Sequence, residues 1–510
     1  ALPPSTPVPV EQNHPFAADL NLTGIHSLHQ LLDTATSRGG SLRLASWLLA
    51  PAPDPAAIQA RHALLQELIP LTSFRRRLSL AGMQIHEATG GPWDGEKVLG
   101  WLEKSVPPRS FLPLLILLGL LAAVNIALFI LNLTGALPAY WIAGWILYGF
   151  LYLTQYNRYK DLFAETSALG KSLDQLRSIL LVLENAPLQK TGGLNRLFRP
   201  FTSPEERPSR FLRRFIWLTI GASLGGNPVL SVFVNMILPW NLLFATLFNQ
   251  YKRELSAPLR AWLDAWYEIE ALSSLANYAW LNPQYSFPHL LRDETNPSQP
   301  LFTARHLGHP LIPQDRRVSN DFSISKAGAV IILTGSNMSG KSTFLRTVGI
   351  NLCLVNAGAP VAADQIDTRL FRIFTCIQVA DSLADGISYF YAEVRRLKQL
   401  LTELEEPSPY PLFYLIDEIY RGTNNRERRI GSQAYIHTLS QSQGLGIVST
   451  HDLDLVQLSN QENNLLNYHF QEEVHGDRLV YDYQLRPGPS PTTNALKIMQ
   501  IEGLPTDHAE

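Results

Sequence analysis

Three groups of residues have the types and spacing needed to handle a polyphosphate. The first is the run TGSNMSGKST at 334–343, where Gly335 and Gly340 bracket Ser336, Asn337, Met338 and Ser339 and lead into Lys341, Ser342 and Thr343. Anionic oxygens need many short donors at once. A loop of this kind aims its backbone N–H groups inward, and the positive end of the helix that follows faces the same point. Lys341 can reach the β- and γ-phosphates as a point charge, and the Ser342 hydroxyl is placed to ligate a Mg2+ that bridges them. The second group is Asp417 and Glu418, at the end of the apolar run PLFYLID at 411–417. Adjacent acids can divide labour: Asp417 holds the Mg2+ through water, and Glu418 polarises the water that attacks the γ-phosphate. The third is His451, which follows LGIVST at 445–450 and can sense the γ-phosphate or orient that water. The expected ligands are therefore ATP and Mg2+.

The elements that must carry these groups are legible beside them. AVIILT at 329–334, PLFYLID and LGIVST are apolar runs suited to buried parallel strands, and the residues after Gly340 open a helical pattern. The order strand and cradle, strand and acid pair, strand and histidine places all three groups at the carboxyl edge of one parallel sheet. This predicts an α/β ATPase domain with a P-loop and a mostly parallel sheet. Its two cysteines, Cys353 and Cys376, lie inside apolar-patterned sequence and read as buried thiols of a reducing compartment. With a net charge of -2 over 510 residues, the chain has no global pull toward nucleic acid or anionic lipid, so any basic surface is local. Arg75 to Arg77, the arginines of 210–214 and those of 426–429 are such clusters, and each also suits a solvated helix face or a membrane flank.

The first 300 residues read as helical. Residues 1–13 are a Pro-rich lead-in, and from His14 onward Leu28, Leu31, Leu32, Leu42, Leu44, Trp47, Leu48, Ile58, Leu64, Leu65 and Leu68 form core stripes. His26, His29 and His62 fall on or beside them and read as structural. The stretch 111–133 holds no charged residue and, as a helix, is long enough for a bilayer core. After a turn with Gly135 and Pro138, a second apolar run at 137–153 has Tyr140, Trp141, Trp145, Tyr148 and Tyr152, which include interface anchors, and the pair reads as a transmembrane hairpin, with a buried helical pair in a large soluble core as the alternative. Lys104 and Arg109 before it and Arg158 and Lys160 after it put both ends, and the nucleotide site, on the cytoplasmic side of the cytoplasmic membrane. A further uncharged stretch at 215–251 is split by Gly225, Gly226, Asn227 and Pro228 and reads as buried or interfacial rather than as a pair of spans. Between the two, 156–183 has a heptad-like leucine spacing and 194–210 reads as an exposed loop. Residues 257–280 are helical, and the prolines of 282–300 mark a domain boundary.

TGSNMSGKSTFLRTVG, FTCIQVADSLADGISYFYAEV, LIDEIYRGT and STHDLDL together resemble the MutS family of DNA mismatch-repair ATPases, a branch of the ABC ATPase class. The resemblance extends to ARHLGHPLI at 304–312 and to the helical opening. It implies Gly335, Asn337, Gly340, Lys341, Ser342 and Thr343 as the Walker A site, Asp417 and Glu418 as the Walker B pair, and His451 as the switch histidine. Ser388 takes the signature position that in the family reaches the nucleotide of the partner subunit, and Asn320 falls near the adenine-binding segment. These correspondences imply a homodimer closed by ATP, with double-stranded or branched DNA as the inherited partner. Tyr420 stands where the family generally has Gly, and no Phe-x-Glu wedge precedes the helical opening, so mismatch reading of the usual kind is not expected. The expected organisation is an all-α MutS-like core at 1–110, the hairpin at 111–153, the rest of the helical core or lever at 154–300, and the ATPase domain at 301–510. A membrane-transport ATPase is the alternative, disfavoured by a single hairpin and by the Ser388 motif in place of an LSGGQ signature. A non-hydrolysing scaffold is disfavoured by the presence of Lys341, Asp417, Glu418 and His451.

Overall fold

Runs of β-branched and aromatic residues without a charge before the final position form the central strands. In chain order the strands are β1 (His289–Leu290), β2 (Phe302–Leu307), β3 (Asn320–Ile324), β4 (Val330–Thr334), β5 (Gln365–Thr368), β6 (Arg372–Cys376), β7 (Leu412–Asp417), β8 (Leu445–Ser449), β9 (Leu465–His475) and β10 (Arg478–Pro487) in this computed structural model. The structure describes residues 6–11, 13–89, 93–104, 111–154, 156–188, 192–224, 234–235, 237–291, 300–336, 338–378, 389–420, 423–460, 462–475 and 478–490. The chain divides into two compact units: Ala1–Thr34, Leu42–Ile69 and Ala271–Glu510 form one, and Ala35–Ser41 and Pro70–Glu270 form the other.

In the first unit a six-stranded sheet runs β10-β9-β4-β8-β7-β6, with a four-stranded sheet β1-β5-β2-β3. The pairs β4 with β8 and β9, β7 with β8, and β6 with β7 are parallel, and only β10 runs antiparallel, to β9. Every residue of β4, β7 and β8 is buried, as a sheet covered on both faces requires. Helix Lys341–Ala357 opens at Gly340 and closes at Gly358, each with a left-handed backbone that a Cβ would strain. The parallel order puts the ends of β4, β7 and β8 side by side, as their sequence implies.

Residues 14–22 are a correction to the helical opening. No helix begins before Leu28 among the described residues, and this stretch is instead strapped to the sheet. The Pro15 carbonyl accepts from Thr375 N at 2.9 Å, and the Asp19 carboxylate accepts from Ile377 N and Gln378 N, both at 2.9 Å. Arg396 donates to the carbonyls of His14 and Pro15 and lies over the Phe374 ring. The compact unit that holds the ATPase sheet therefore includes residues expected in a separate helical core at 1–110.

The second unit is helical among its described residues. Helix Leu112–Leu133 packs on Trp141–Thr154, with the Trp141 indole N–H donating to Asn132 at 3.2 Å and the Asn132 amide closing onto the Leu137 carbonyl. The heptad-like stretch is a helix, Tyr156–Glu184, and buries Leu173, Leu176, Leu180 and Leu183. The expected loop at 194–210 is partly helical, at Leu194–Leu197, Arg199–Thr202 and from Pro208 onward. Phe198 and Phe201 among its arginines and prolines supply a buried anchor, and Trp262 donates to the Pro200 and Glu206 carbonyls. Helix Trp240–Leu281 contains 257–280 and starts well before it. The domain boundary expected at 282–300 lies partly outside the described residues.

Candidate active site

Strand β4 ends in a loop that needs two unusual backbone conformations. Gly335 has φ +146° and Gly340 φ +104°. A Cβ on Gly335 would sit 2.9 Å from the Phe470 carbonyl, so the loop approaches β9 more closely than any side chain allows. Lys341, nearly buried, folds its ammonium back to donate to the carbonyls of Gly335 at 2.9 Å and Ser336 at 2.7 Å. It spans the loop from the helix side. Ser336 donates its hydroxyl to the buried Glu472 on β9 at 2.7 Å, and the Ser339 hydroxyl is buried in the loop itself. Met338, with φ +68°, is 83% exposed. Asn337 lies outside the described residues.

Strands β7 and β8 bring the acids and the histidine to the same edge. Asp417 is almost fully buried and uses both carboxylate oxygens: one accepts from Ser342 Oγ at 2.6 Å, the other from Ser449 Oγ. Residues 75 positions apart in the chain thus place a hydroxyl and a carboxylate oxygen side by side. Glu418 adopts φ +61° as the chain leaves the strand, and its Oε1 lies 2.8 Å from His451 Nε2. Both side chains keep partial access to solvent. Oxygen donors of this kind suit a hard divalent cation, so Ser342 and Asp417 fit Mg2+.

The groups converge on one cavity of about 460 Å3, of the size of small-ligand sites. Gly340, Lys341, Ser342, Thr343, Asp417, Glu418 and His451 line it, as does Asn320. The Asn320 amide is engaged elsewhere: it donates to the Tyr483 carbonyl at 3.0 Å and accepts from Leu485 N at 2.7 Å, clamping β10. The sequence did not single out Tyr483, which faces the cavity with φ +55° and lies against Gly340. Phe470 and Phe344 were likewise unmarked; they lie edge to face at 5.8 Å on the cavity wall. Ser388 lies outside the described residues, so the structure does not place it.

Two further residues support the acid turn. Tyr420 has φ +58°, which accounts physically for a glycine preference at that position. Its ring packs on Tyr435 and against Gly431, and its backbone N–H donates to Glu393. Glu393 is 2% exposed and sits 27 residues before Tyr420, on helix Tyr389–Glu405. A tyrosine can hold the strained turn because the buried carboxylate and the aromatic contacts over-determine it.

Residues 331–509 match the family described as MutS domain V. That domain is the ATPase domain of the MutS family, and the match covers the cradle, the acid pair, the histidine and the β9 and β10 hairpin.

Proposed function

We propose that this chain is a membrane-tethered ATPase that binds Mg·ATP in the cavity, closes as a homodimer around it, and works on double-stranded or branched DNA. One observation carries the reading: a cradle, an acid pair and a histidine, each on a different strand end, face one cavity inside a segment that matches MutS domain V. Lys341 exchanges its loop carbonyls for β- and γ-phosphate oxygens, and loop N–H groups complete the cradle. Ser342 and Asp417 would hold Mg2+, which when bound offsets phosphate charge. Glu418, paired with His451, takes a proton from the attacking water, and His451 orients that pair toward the γ-phosphate. Tyr483 offers an aromatic face to the base. Ser388 completes the site of the partner subunit, so ATP joins two copies and hydrolysis releases them.

The proposed tether is the pair of helices Leu112–Leu133 and Trp141–Thr154, of which only the first is, among the described residues, a helix long and apolar enough by itself to cross a membrane; the second has 14 residues. The first spans 22 residues, about 33 Å at the usual rise and so a match to the hydrocarbon core of a bilayer. Only 17% of its most apolar window is buried. Leu120, Val124, Ile130, Ile146, Leu147 and Phe150 are among the apolar side chains left exposed, a face that hydrocarbon accommodates and water does not.

The experiment is ATP turnover by the full detergent-solubilised chain, with and without duplex, mismatched and branched DNA. Hydrolysis stimulated by one of these supports the reading, and turnover indifferent to all of them removes the DNA partner. Ser388→Arg abolishes turnover; full activity in that variant removes the composite site. If the native chain leaves the membrane fraction in alkaline carbonate, the tether is wrong.

A further inference from the structure

Beside the helix pair of the tether, the second unit carries another apolar surface whose charges and hydrogen bonds have the order of a bilayer leaflet. Helix Pro208–Leu224 is two-faced. Leu212, Phe215 and Leu218 are buried, with Phe215 against Phe248 and Tyr251, while Ile216, Trp217 and Ile220 are exposed on the other side. Trp217 is 74% exposed. One turn before this apolar face, on the same side, stand the exposed Arg210 and Arg213. Arg214 pairs with Glu254 of helix Trp240–Leu281, whose Arg253 is also exposed. Glu205 and Glu206 come before the helix begins. The arginines thus mark one end of a two-helix element, and the apolar residues lie beyond them.

The far end of this element is tied to the tether through its polar atoms. The Trp240 indole N–H donates to the Gly221 carbonyl at 2.9 Å, which satisfies an acceptor in the last turn of helix Pro208–Leu224. Tyr148 donates its hydroxyl to the Asn235 carbonyl, and Tyr152 donates to Asn235 Oδ1 at 3.2 Å. The same Oδ1 accepts from Asn241 N at 3.0 Å, and Asn241 Nδ2 reaches the Tyr152 hydroxyl at 3.0 Å. Irregular backbone is tolerated at membrane depth only where protein groups take over its hydrogen bonds, and Tyr148, Tyr152, Asn235 and Asn241 do this around the helix break at Leu238 and Pro239. Ile237 and Leu238, beside the network, are exposed and extend the apolar face.

We propose that this two-helix element is a wedge inserted halfway into a bilayer, through one leaflet rich in anionic lipid, with Arg210, Arg213 and Arg253 at the phosphate level and Trp217 just below it. The proposal rests on the membrane reading of the helix pair Leu112–Leu133 and Trp141–Thr154. From Arg213 to Leu224 a helix rises roughly 16 Å, about half of the ~30 Å hydrocarbon core. Indole rings favour the interface, and arginines favour lipid phosphates. The wedge holds the long helix Trp240–Leu281 at the membrane surface by its first turns.

The test uses the full chain in vesicles of phosphatidylglycerol and phosphatidylcholine. Both cysteines are buried, so Trp217→Cys takes a thiol-reactive fluorophore at one accessible place, and Ile146→Cys does the same on the tether. Expected is severalfold stronger quenching of the 217 probe by acyl-chain nitroxide than by aqueous iodide. In the Arg210→Glu, Arg213→Glu background that lipid quenching is lost at 217 and kept at 146. A 146 probe in lipid with a 217 probe open to iodide, or shielded from both quenchers, overturns the wedge and leaves the tether standing. The second of those outcomes means that protein covers the face. Lipid quenching at 217 that ignores the arginine changes overturns the headgroup contact. If neither probe meets lipid, the membrane reading fails and the wedge with it.

Discussion

The carboxyl edge of the parallel sheet and the apolar helix pair use similar side chains to opposite ends. Strands β4, β7 and β8 bury every residue they have, and at their ends the charged groups are hydrogen-bonded, Asp417 on both oxygens and Lys341 to two carbonyls, while the neutral hydroxyls of Ser339 and Tyr414 have no partner among the described residues. On the helix pair many of the larger apolar side chains face outward, and Asn125, 1% exposed, has neither amide atom hydrogen-bonded among the described residues. Unsatisfied polar groups are costly in any dry interior, so the sheet edge is built to hold charge in a fixed geometry. Such order at an edge serves chemistry. An outward apolar surface with a single buried amide is, on the proposed reading, the face that meets lipid, and lateral packing is the structural work left to that amide.

The contrast is broken most directly at Glu418. Glu418→Gln should lower turnover by about 100-fold, roughly 2.7 kcal/mol of barrier, while nucleotide binding survives. Phosphate release and titration with a fluorescent nucleotide check it, and unaltered turnover would refute its role as base. Gly144→Val acts on the other region. A Cβ there would lie 1.8 Å from Asn125 Oδ1, so the helices must part, at a cost of about 1–3 kcal/mol. Thermal unfolding in detergent should drop with ATP turnover at low temperature unchanged, which shows that the two regions are energetically separate. Glu393→Ala sharpens the account of the edge: kcat falls about 10-fold, or ~1.4 kcal/mol, at constant KM, while Glu393→Gln keeps most of the rate because an acceptor for Tyr420 N–H remains. Equal losses in both variants would assign Glu393 a charge effect instead. Smallest is Tyr483→Ala, which should raise KM roughly threefold with kcat intact, the worth of a partly exposed aromatic face.

The cradle, the acid pair and His451 were legible because their chemistry demands particular residue types at short spacing. Asp417 next to Glu418 can be read without knowing what lies nearby. Glu393 could not be identified this way, since a glutamate on a helix is ordinary until a chain segment 27 residues later turns its N–H toward it. Asn320 read as a nucleotide contact and lines the cavity, but nothing in the sequence signalled that its amide also meets β10 across 163 and 165 residues of chain. Asp19 carried no signal at all, although it caps two backbone N–H groups that follow β6. The stretch 194–210 looked like a loop because its arginines and prolines outnumber Phe198 and Phe201, but two well-placed rings were enough to bury it.

From the order of residues alone came the parts that act locally: a loop with glycines where the backbone turns left-handed, charges at the ends of apolar strands, and an uncharged stretch long enough to match a bilayer. Their chemistry depends on neighbours within a few positions, so the text contains it. Which carboxylate steadies the acid turn, which asparagine clamps a strand, and which apolar faces stay uncovered was decided in three dimensions. Hydrogen bonds and burial depend on distances between residues that the chain separates by tens to hundreds of positions, and only the packed fold brings them within reach.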